Sequence, residues 1–426
     1  MKNGKRSSFS GKLGYVLAAA GASVGLGNIW RFPYLAAKYG GGIFLIIYIV
    51  LALTFGYTMI VAETAIGRMT RKSPVGAFKS FGKKKWLSFG GWINAVIPVL
   101  IVPYYSVIGG WVIKYLVEYF RGNAKLLAED GYFTDFISNG VSTELCFVAF
   151  CAFTLIIIFA GVQNGIERVS KIMMPNVKNF SWMTVVAAMG QMFYSLSIAM
   201  GILITFGSYM KKDTAIEDST RNVEIFDTGI AIMAGLMIIP AVFAFSGGDP
   251  DTLQAGPSLM FITIPKVFQN MGFGTVIGIV FFLLVLFAAI TSSIALTESA
   301  VSTFEDELGW GRKKATVLVG VIMLALGSLS SLGYGPLAGI KIIGMQFLDL
   351  FDFLTNSVMM PIAALLTSLL VSRVVGIDKI EEEIIHGESA FRRKKVFVVM
   401  IKYLCPVFAI IILLSSVANA LGWIKM

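Results

Sequence analysis

GASVGLGN, residues 21–28, lies in the middle of an apolar stretch long enough to cross a membrane. Glycine stands at positions 21, 25 and 27, and asparagine closes the run. Each glycine costs roughly 1 kcal/mol against alanine in a helix interior, so continuous helix is disfavoured here. A helix interrupted at mid-depth leaves backbone carbonyls and amides that lipid cannot satisfy. Such an interruption persists only where protein, ion or substrate takes those groups up. The segment therefore reads as half of a binding site.

Apolar stretches recur along the whole chain, which is 56% hydrophobic and 14% charged with a mean hydropathy of +0.79. That profile is foreign to a soluble domain. Spans are predicted near 12–37, 42–67, 88–120, 143–161, 180–209, 225–246, 272–304, 314–332, 344–373 and 396–422. The class is an all-α polytopic membrane protein. The net charge of +10 does not mark a nucleic-acid binder, because the basic residues fall in short loops between spans, as cytoplasmic retention requires. Lys2, Lys5, Arg6 and Lys12 precede the first span, Arg68 to Lys85 follow the second, and Arg312 to Lys314 and Arg392 to Lys395 flank later ones. These loops, and with them the N-terminus, are expected in the cytoplasm. Segments 121–142 and 247–270 carry Glu129, Asp130, Asp135, Asp249 and Asp251 and read as external. Cys146, Cys151 and Cys405 lie in or beside apolar spans, which suggests neither a disulfide framework nor a metal cluster.

Loop charge also exposes a shortfall. Arg168 and Lys171 on one side and Lys211 and Lys212 on the other both look cytoplasmic. Two crossings between them need about 20 apolar residues each plus a turn. One crossing fits and two do not.

A second interruption is legible in GQMFYSLSIAMG, residues 190–201, where glutamine, hydroxyls and glycines occupy mid-span. Two interrupted spans in corresponding positions of two halves point to the binding site of an inverted-repeat transporter. For Gly190 or Gly201 alone, close packing of helices through small residues is an equal alternative.

GASVGLGNIWRFP (21–33), GGGIFLIIY (40–48) and ETAIGR (63–68) closely resemble the first two spans of the neurotransmitter:sodium symporter family. The likeness continues through GQMFYSLSIAMG (190–201), FAAITSSIALTESAVSTFEDEL (287–308) and DLFDF (349–353). It points to the prokaryotic amino-acid branch. The resemblance implies an inverted-repeat (5+5) LeuT-like fold with discontinuous first and sixth helices and one extra C-terminal span. Residues 1–426 would form a single transporter domain, with a truncated first repeat over about 12–175, a second over about 180–373, and the extra span at 396–422. Against the family, the outer half of the fifth span is missing after Pro175, which agrees with the loop charges. Gly165 and Pro175 resemble a motif that lets the inner half of that span unwind.

Residue by residue, the resemblance implies two sodium sites. The first would use the Ser23 carbonyl, Asn28, Ser195 and Asp227. The second would use carbonyls of Gly21, Val24 and Ala288 with hydroxyls of Thr291 and Ser292. Oxygen ligands suit a hard cation, and unwound helix supplies carbonyls that a continuous helix would not. Where chloride-dependent relatives have asparagine, Asp227 brings its own negative charge, so chloride is not expected. The substrate carboxylate would meet the amides of Leu26 and Gly27 and the Tyr105 hydroxyl, at a half-helix N-terminus. Its ammonium would meet carbonyls around Ser23, Tyr194, Ser195 and Ser197. Gly25 replaces the aspartate of monoamine carriers, which favours a substrate with its own carboxylate. Ile101, Tyr194, Met200, Ser292 and Leu296 would line the side-chain pocket.

Arg31 and Asp352 would form the external gate, and Arg6 with Asp306 the internal one, near Phe9 and Tyr209. Glu63 would satisfy backbone exposed by the helix breaks, and Glu298 replaces a glutamine of the inner pathway. The function implied is sodium-coupled import of a neutral, hydrophobic or aromatic amino acid by alternating access. A membrane amino-acid-binding or sensing protein without a transport cycle is the alternative. An enzyme is not expected, since the spans hold no histidine and no nucleophile–base pair. The expected partners are the amino acid, sodium and the lipid bilayer of the cell membrane, without nucleic acid; a homodimer is left open.

Overall fold

The computed structural model describes residues 8–9, 11–39, 42–160, 188–192, 195–245, 257–420 and 423. Among them the regular elements are all helical, apart from one isolated bridge between Ile342 and Met345. The first span is two pieces, α1 (Lys12–Ser23) and α2 (Gly27–Lys38), bent by 60° at the break between them. Next come α3 (Gly42–Thr70), α4 (Lys85–Phe120), α5 (Gly140–Ala160), α6 (Ile202–Tyr209) and α7 (Ile216–Phe245). The chain continues with α8 (Gly274–Leu308), α9 (Arg312–Leu332), α10 (Phe347–Val375) and α11 (Lys394–Asn419). Eight helices among the described residues are long and apolar enough to cross a bilayer, and the bent α1–α2 pair makes a ninth. The predicted span at 180–209 is represented by residues 188–192 and 195–209. Gly165, Pro175 and the missing half-span lie outside the described residues, as do Arg6 and Tyr194.

Helix α7 begins at Ile216, nine residues before the predicted 225. Glu217, Asp218, Arg221 and Glu224 make that stretch look like loop in the sequence. In the fold Glu217 and Glu224 are buried, and each is held by Tyr57 or Arg393 rather than by water.

Two glycines bring α3 and α6 together. A Cβ on Gly67 would lie 2.0 Å from the Ile204 carbonyl oxygen, and one on Gly207 would lie 2.4 Å from that of Thr64. The two backbones therefore touch, as small residues permit between membrane helices. This contact sets the short α6, and the interruption before it, directly against Glu63 on α3.

The far end of the same pair, at the last turns of both helices, is fastened by arginine. Arg68 is fully buried: its Nε donates to Glu383 at 2.7 Å, and it donates also to the carbonyls of Glu383 and Thr214. Arg71, which ends α3 in the left-handed region at φ 56°, donates to the carbonyls of Ser208 and Met210 at 2.9 and 2.6 Å. Arg68 and Arg71 thus satisfy the last turn of α6 and tie it to the short helix Ile377–Ile385 that carries Glu383.

Removing one partner of a buried ion pair strands the other charge, at a cost of about 3–5 kcal/mol. Glu383→Ala is therefore expected to lower the thermal unfolding midpoint of the purified protein sharply; an unchanged midpoint would show that Arg68 finds full compensation elsewhere.

Candidate functional site

The first break begins where α1 stops. Val24 is extended, at φ −74° and ψ 93°, and its amide donates back to the Ala20 carbonyl at 2.7 Å. Helix resumes as a π-helical turn over Gly27–Arg31. Carbonyls of the last turn of α1 consequently point away from any helical partner. The Ser292 hydroxyl of α8 lies 3.4, 3.1 and 3.5 Å from the carbonyl oxygens of Gly21, Ala22 and Val24. Thr291, beside it, donates to the Ala288 and Phe287 carbonyls at 3.0 and 3.1 Å. The five residues read as one oxygen cluster, Gly21, Val24, Ala288, Thr291 and Ser292, are thus shared between this break and one stretch of α8.

The second break is built differently. Ser197, Ala199 and Gly201 all have positive φ, at 52°, 57° and 72°. A non-glycine residue in this region costs roughly 1–2 kcal/mol, so two such residues need a hold. Glu63, fully buried, supplies part of it by accepting the Ala199 amide at 2.7 Å. The two breaks are also stitched to each other. Ser197 donates its hydroxyl to the Ala22 carbonyl at 3.0 Å, and Gln191 donates its amide to the Gly27 carbonyl at 3.1 Å.

Between the breaks sits a buried carboxylate. Asp227 on α7 accepts from Asn28 at 2.8 Å, from Tyr48 at 3.0 Å, and from the Ser195 hydroxyl at 2.9 Å to either oxygen. All three hydrogen-bonding partners are neutral, and no salt bridge reaches Asp227 among the described residues. The Asn28 amide oxygen, equally buried, has no hydrogen-bond partner among the described residues. A buried negative charge and a bare oxygen side by side are costly unless a cation joins them.

A small cavity of about 20 Å³ adjoins this cluster. Ser23, Gly27, Ile101, Tyr105 and Ser197 line it, as do Met200, Ser292 and Leu296. Leu26 contributes through its amide, which donates to the Tyr105 hydroxyl at 3.2 Å. Ser195 faces Asp227. Ile202, at the start of α6, also lines the cavity; the sequence does not single it out, because nothing in an apolar helix tells which face meets a ligand. Gly25 is held tightly: a Cβ there would lie 2.7 Å from the Ser292 hydroxyl and 2.9 Å from that of Tyr105.

Polar clusters lie above and below. Asp352 accepts from Tyr104 at 3.2 Å and from Asn356 at 2.5 Å, and Arg31 stands half-buried in the π-helical turn of α2. At the opposite end Asp306 accepts the Ser73 amide at 2.6 Å, while Phe9 packs edge-on against Tyr15, Phe206 and Tyr209. The Tyr209 hydroxyl donates to Glu298 at 2.7 Å. Glu298 is fully buried and paired with Arg312 at 2.5 and 3.0 Å. That ion pair joins two helices across a tight turn, whereas in the sequence Arg312 reads as an ordinary loop cation.

Residues 6–128 and 138–423 match the sodium:neurotransmitter symporter family. An uncharacterized sodium-dependent transporter of Bacillus subtilis is 32% identical over 450 aligned positions, covering 98% of this chain and 99% of the relative. Since the chain has 426 residues, at least 24 positions of that relative face gaps here. An uncharacterized sodium-dependent transporter of Haemophilus influenzae is 30% identical over 97% of this chain and 99% of its own length. Among solved structures, that of MhsT in complex with L-phenylalanine superposes with a TM-score of 0.85 at 32% identity, covering 96% of this chain and 100% of that one. The chain belongs to the sodium:neurotransmitter symporter family. It is a sodium-dependent, multi-pass membrane transporter with a LeuT fold, and not an enzyme.

Gly25→Ala would force Ser292 and Tyr105 away from the first break, and overpacking of this kind costs about 1–3 kcal/mol. Half-saturation of the sodium-induced rise in unfolding temperature is expected to climb roughly tenfold or more. An unchanged sodium response would mean that the break tolerates the methyl group.

Proposed function

We propose that this member of the family imports a neutral, hydrophobic or aromatic amino acid with sodium, by alternating access across the cell membrane, with its N-terminus in the cytoplasm. The observation that carries the reading is the Asn28–Ser195–Asp227 cluster: two broken helices meet at a buried carboxylate whose hydrogen-bonding partners among the described residues are all neutral. One sodium ion would take the Ser23 carbonyl, the Asn28 amide oxygen, Ser195 and Asp227. A second would take Gly21, Val24, Ala288, Thr291 and Ser292, with Ser292 turning its hydroxyl oxygen towards the ion.

The substrate's carboxylate would sit at the amides of Leu26 and Gly27 beside the Tyr105 hydroxyl, completing the shell of the first ion. Its ammonium would meet carbonyls around Ser23, Tyr194, Ser195 and Ser197. The side chain would enter the space among Ile101, Tyr194, Met200, Ser292 and Leu296, where Met200 adapts in shape. The absence of a carboxylate at Gly25 and the L-phenylalanine bound by the structural relative both support an amino acid over an amine. Because ion and substrate would share ligands, each would raise the other's affinity by the same factor.

Outward closure would bring Arg31 and Asp352 together. Inward closure would use Arg6 with Asp306, beneath Tyr209. The buried Glu298–Arg312 pair would add to the inner barrier, since opening that side must expose both charges or separate them.

Uptake of radiolabelled L-phenylalanine into proteoliposomes, driven by an imposed sodium gradient, tests this reading. Accumulation is expected with sodium and not with choline, with competition by neutral apolar amino acids and little by charged ones. Binding without accumulation would instead assign a sensor. Because Asp227 supplies its own negative charge, replacing chloride by gluconate is expected to leave uptake within about twofold; a collapse would remove the role given to that carboxylate.

A further inference from the structure

We infer that Glu217, together with Tyr57 and Arg393, is a positioning group for the first sodium site, coupling α11 to it. The inference rests on Asp227 being a ligand of that ion.

Helices α3 and α7 run antiparallel and are joined by two tyrosines. Tyr48 donates to Asp227 at 3.0 Å, and Tyr57 donates to Glu217 at 2.8 Å. The rungs are matched in height. Nine residues separate the tyrosines and ten the carboxylates, about 14 and 15 Å at 1.5 Å per residue. They are not matched in rotation by a regular helix, because residues nine apart stand about half a turn from each other. A π-helical turn at Ala52–Gly56 lies between the two tyrosines and takes out part of that offset. Both tyrosines are fully buried, Asp227 is buried completely and Glu217 is 5% exposed.

The inner rung is itself fixed by α11. The backbone amides of Arg392 and Arg393, just ahead of that helix, donate to the two oxygens of Glu217 at 2.8 and 2.9 Å. In return, Glu388 in the preceding loop accepts the Glu217 amide at 2.5 Å and that of Asp218 at 3.4 Å, at the start of α7. Each helix start is therefore capped by a carboxylate from the other chain segment, an arrangement favoured by the exposed amides and dipole of a helix N-terminus. The Arg393 guanidinium stacks over the Tyr57 ring at 4.6 Å and pairs with the buried Glu224 at 3.1 Å. Glu224 stands one turn below Asp227 on α7. The clasp thus sets the height and rotation of α7 against α3, and with them where Asp227 meets Asn28 and Ser195.

The test titrates sodium gluconate, at constant ionic strength with choline gluconate and without chloride, and follows the unfolding temperature of the purified full-length protein. Tyr57→Phe and Glu217→Gln are expected to raise sodium half-saturation roughly three- to tenfold, the consequence of losing one buried hydrogen bond at the rung. Glu383→Gln breaks a buried pair of similar depth that does not touch α7's rungs. It is expected to lower the unfolding temperature in choline while leaving sodium half-saturation within about twofold of wild type. Asp227→Asn is the reference and is expected to weaken the sodium response most. Wild-type sodium affinity in Tyr57→Phe and Glu217→Gln, with Asp227→Asn impaired, overturns the clasp alone. An equal shift in Glu383→Gln also overturns it, since the effect would then be general loosening. A wild-type response in Asp227→Asn removes the sodium-site reading and the clasp with it.

Discussion

A carboxylate buried among neutral partners is the constraint on which the rest depends. Asp227 has Asn28, Tyr48 and Ser195 around it and no cationic side chain at salt-bridge distance among the described residues. In a low-dielectric interior such a charge is tolerated only with good hydrogen bonds and a counter-charge. The hydrogen bonds are present, and the mobile counter-charge of a sodium-dependent transporter fits the remainder. Asn28 belongs to one broken helix and Ser195 to the other, so this carboxylate draws the two breaks together.

The breaks need support independent of any ion. Ser197 and Ala199 sit at positive φ, and the first break exposes carbonyls of Gly21, Ala22 and Val24. Glu63, Tyr105, Gln191 and Ser292 each take one or more backbone groups of the two breaks. Several belong to neighbouring helices, which means that motion of a broken half-helix must exchange these bonds rather than simply stretch them. Backbone contact at Gly67 and Gly207 then holds α6, and the second break before it, against the helix bearing Glu63.

Much of this is legible in the chain without any coordinates. Glycines at 21, 25 and 27 and the hydroxyl-rich segment at 190–201 mark both interruptions, because glycine and mid-span polarity violate what a lipid-facing helix requires. The residues expected to gather there largely do: Asn28, Ser195 and Asp227 form one cluster, and Gly21, Val24 and Ser292 another. The features that escape a sequence reading are long-range and charged. The inner two turns of α7 read as loop because Glu217, Asp218, Arg221 and Glu224 look solvated, and only the fold reveals Tyr57 and Arg393 waiting for them. The Glu298–Arg312 pair is hidden for the same reason, since hydropathy records the cost of a charge but not its partner. Ile202 is invisible because the helix it opens is apolar along most of its length.

The position of the cation decides the rest. A crystal structure with sodium replaced by thallium measures this directly, through anomalous scattering. A peak is predicted among the Ser23 carbonyl, the Asn28 amide oxygen, Ser195 and Asp227. Thallium bound elsewhere, with Asp227 still held only by its neutral neighbours, would contradict the sodium site proposed around that carboxylate.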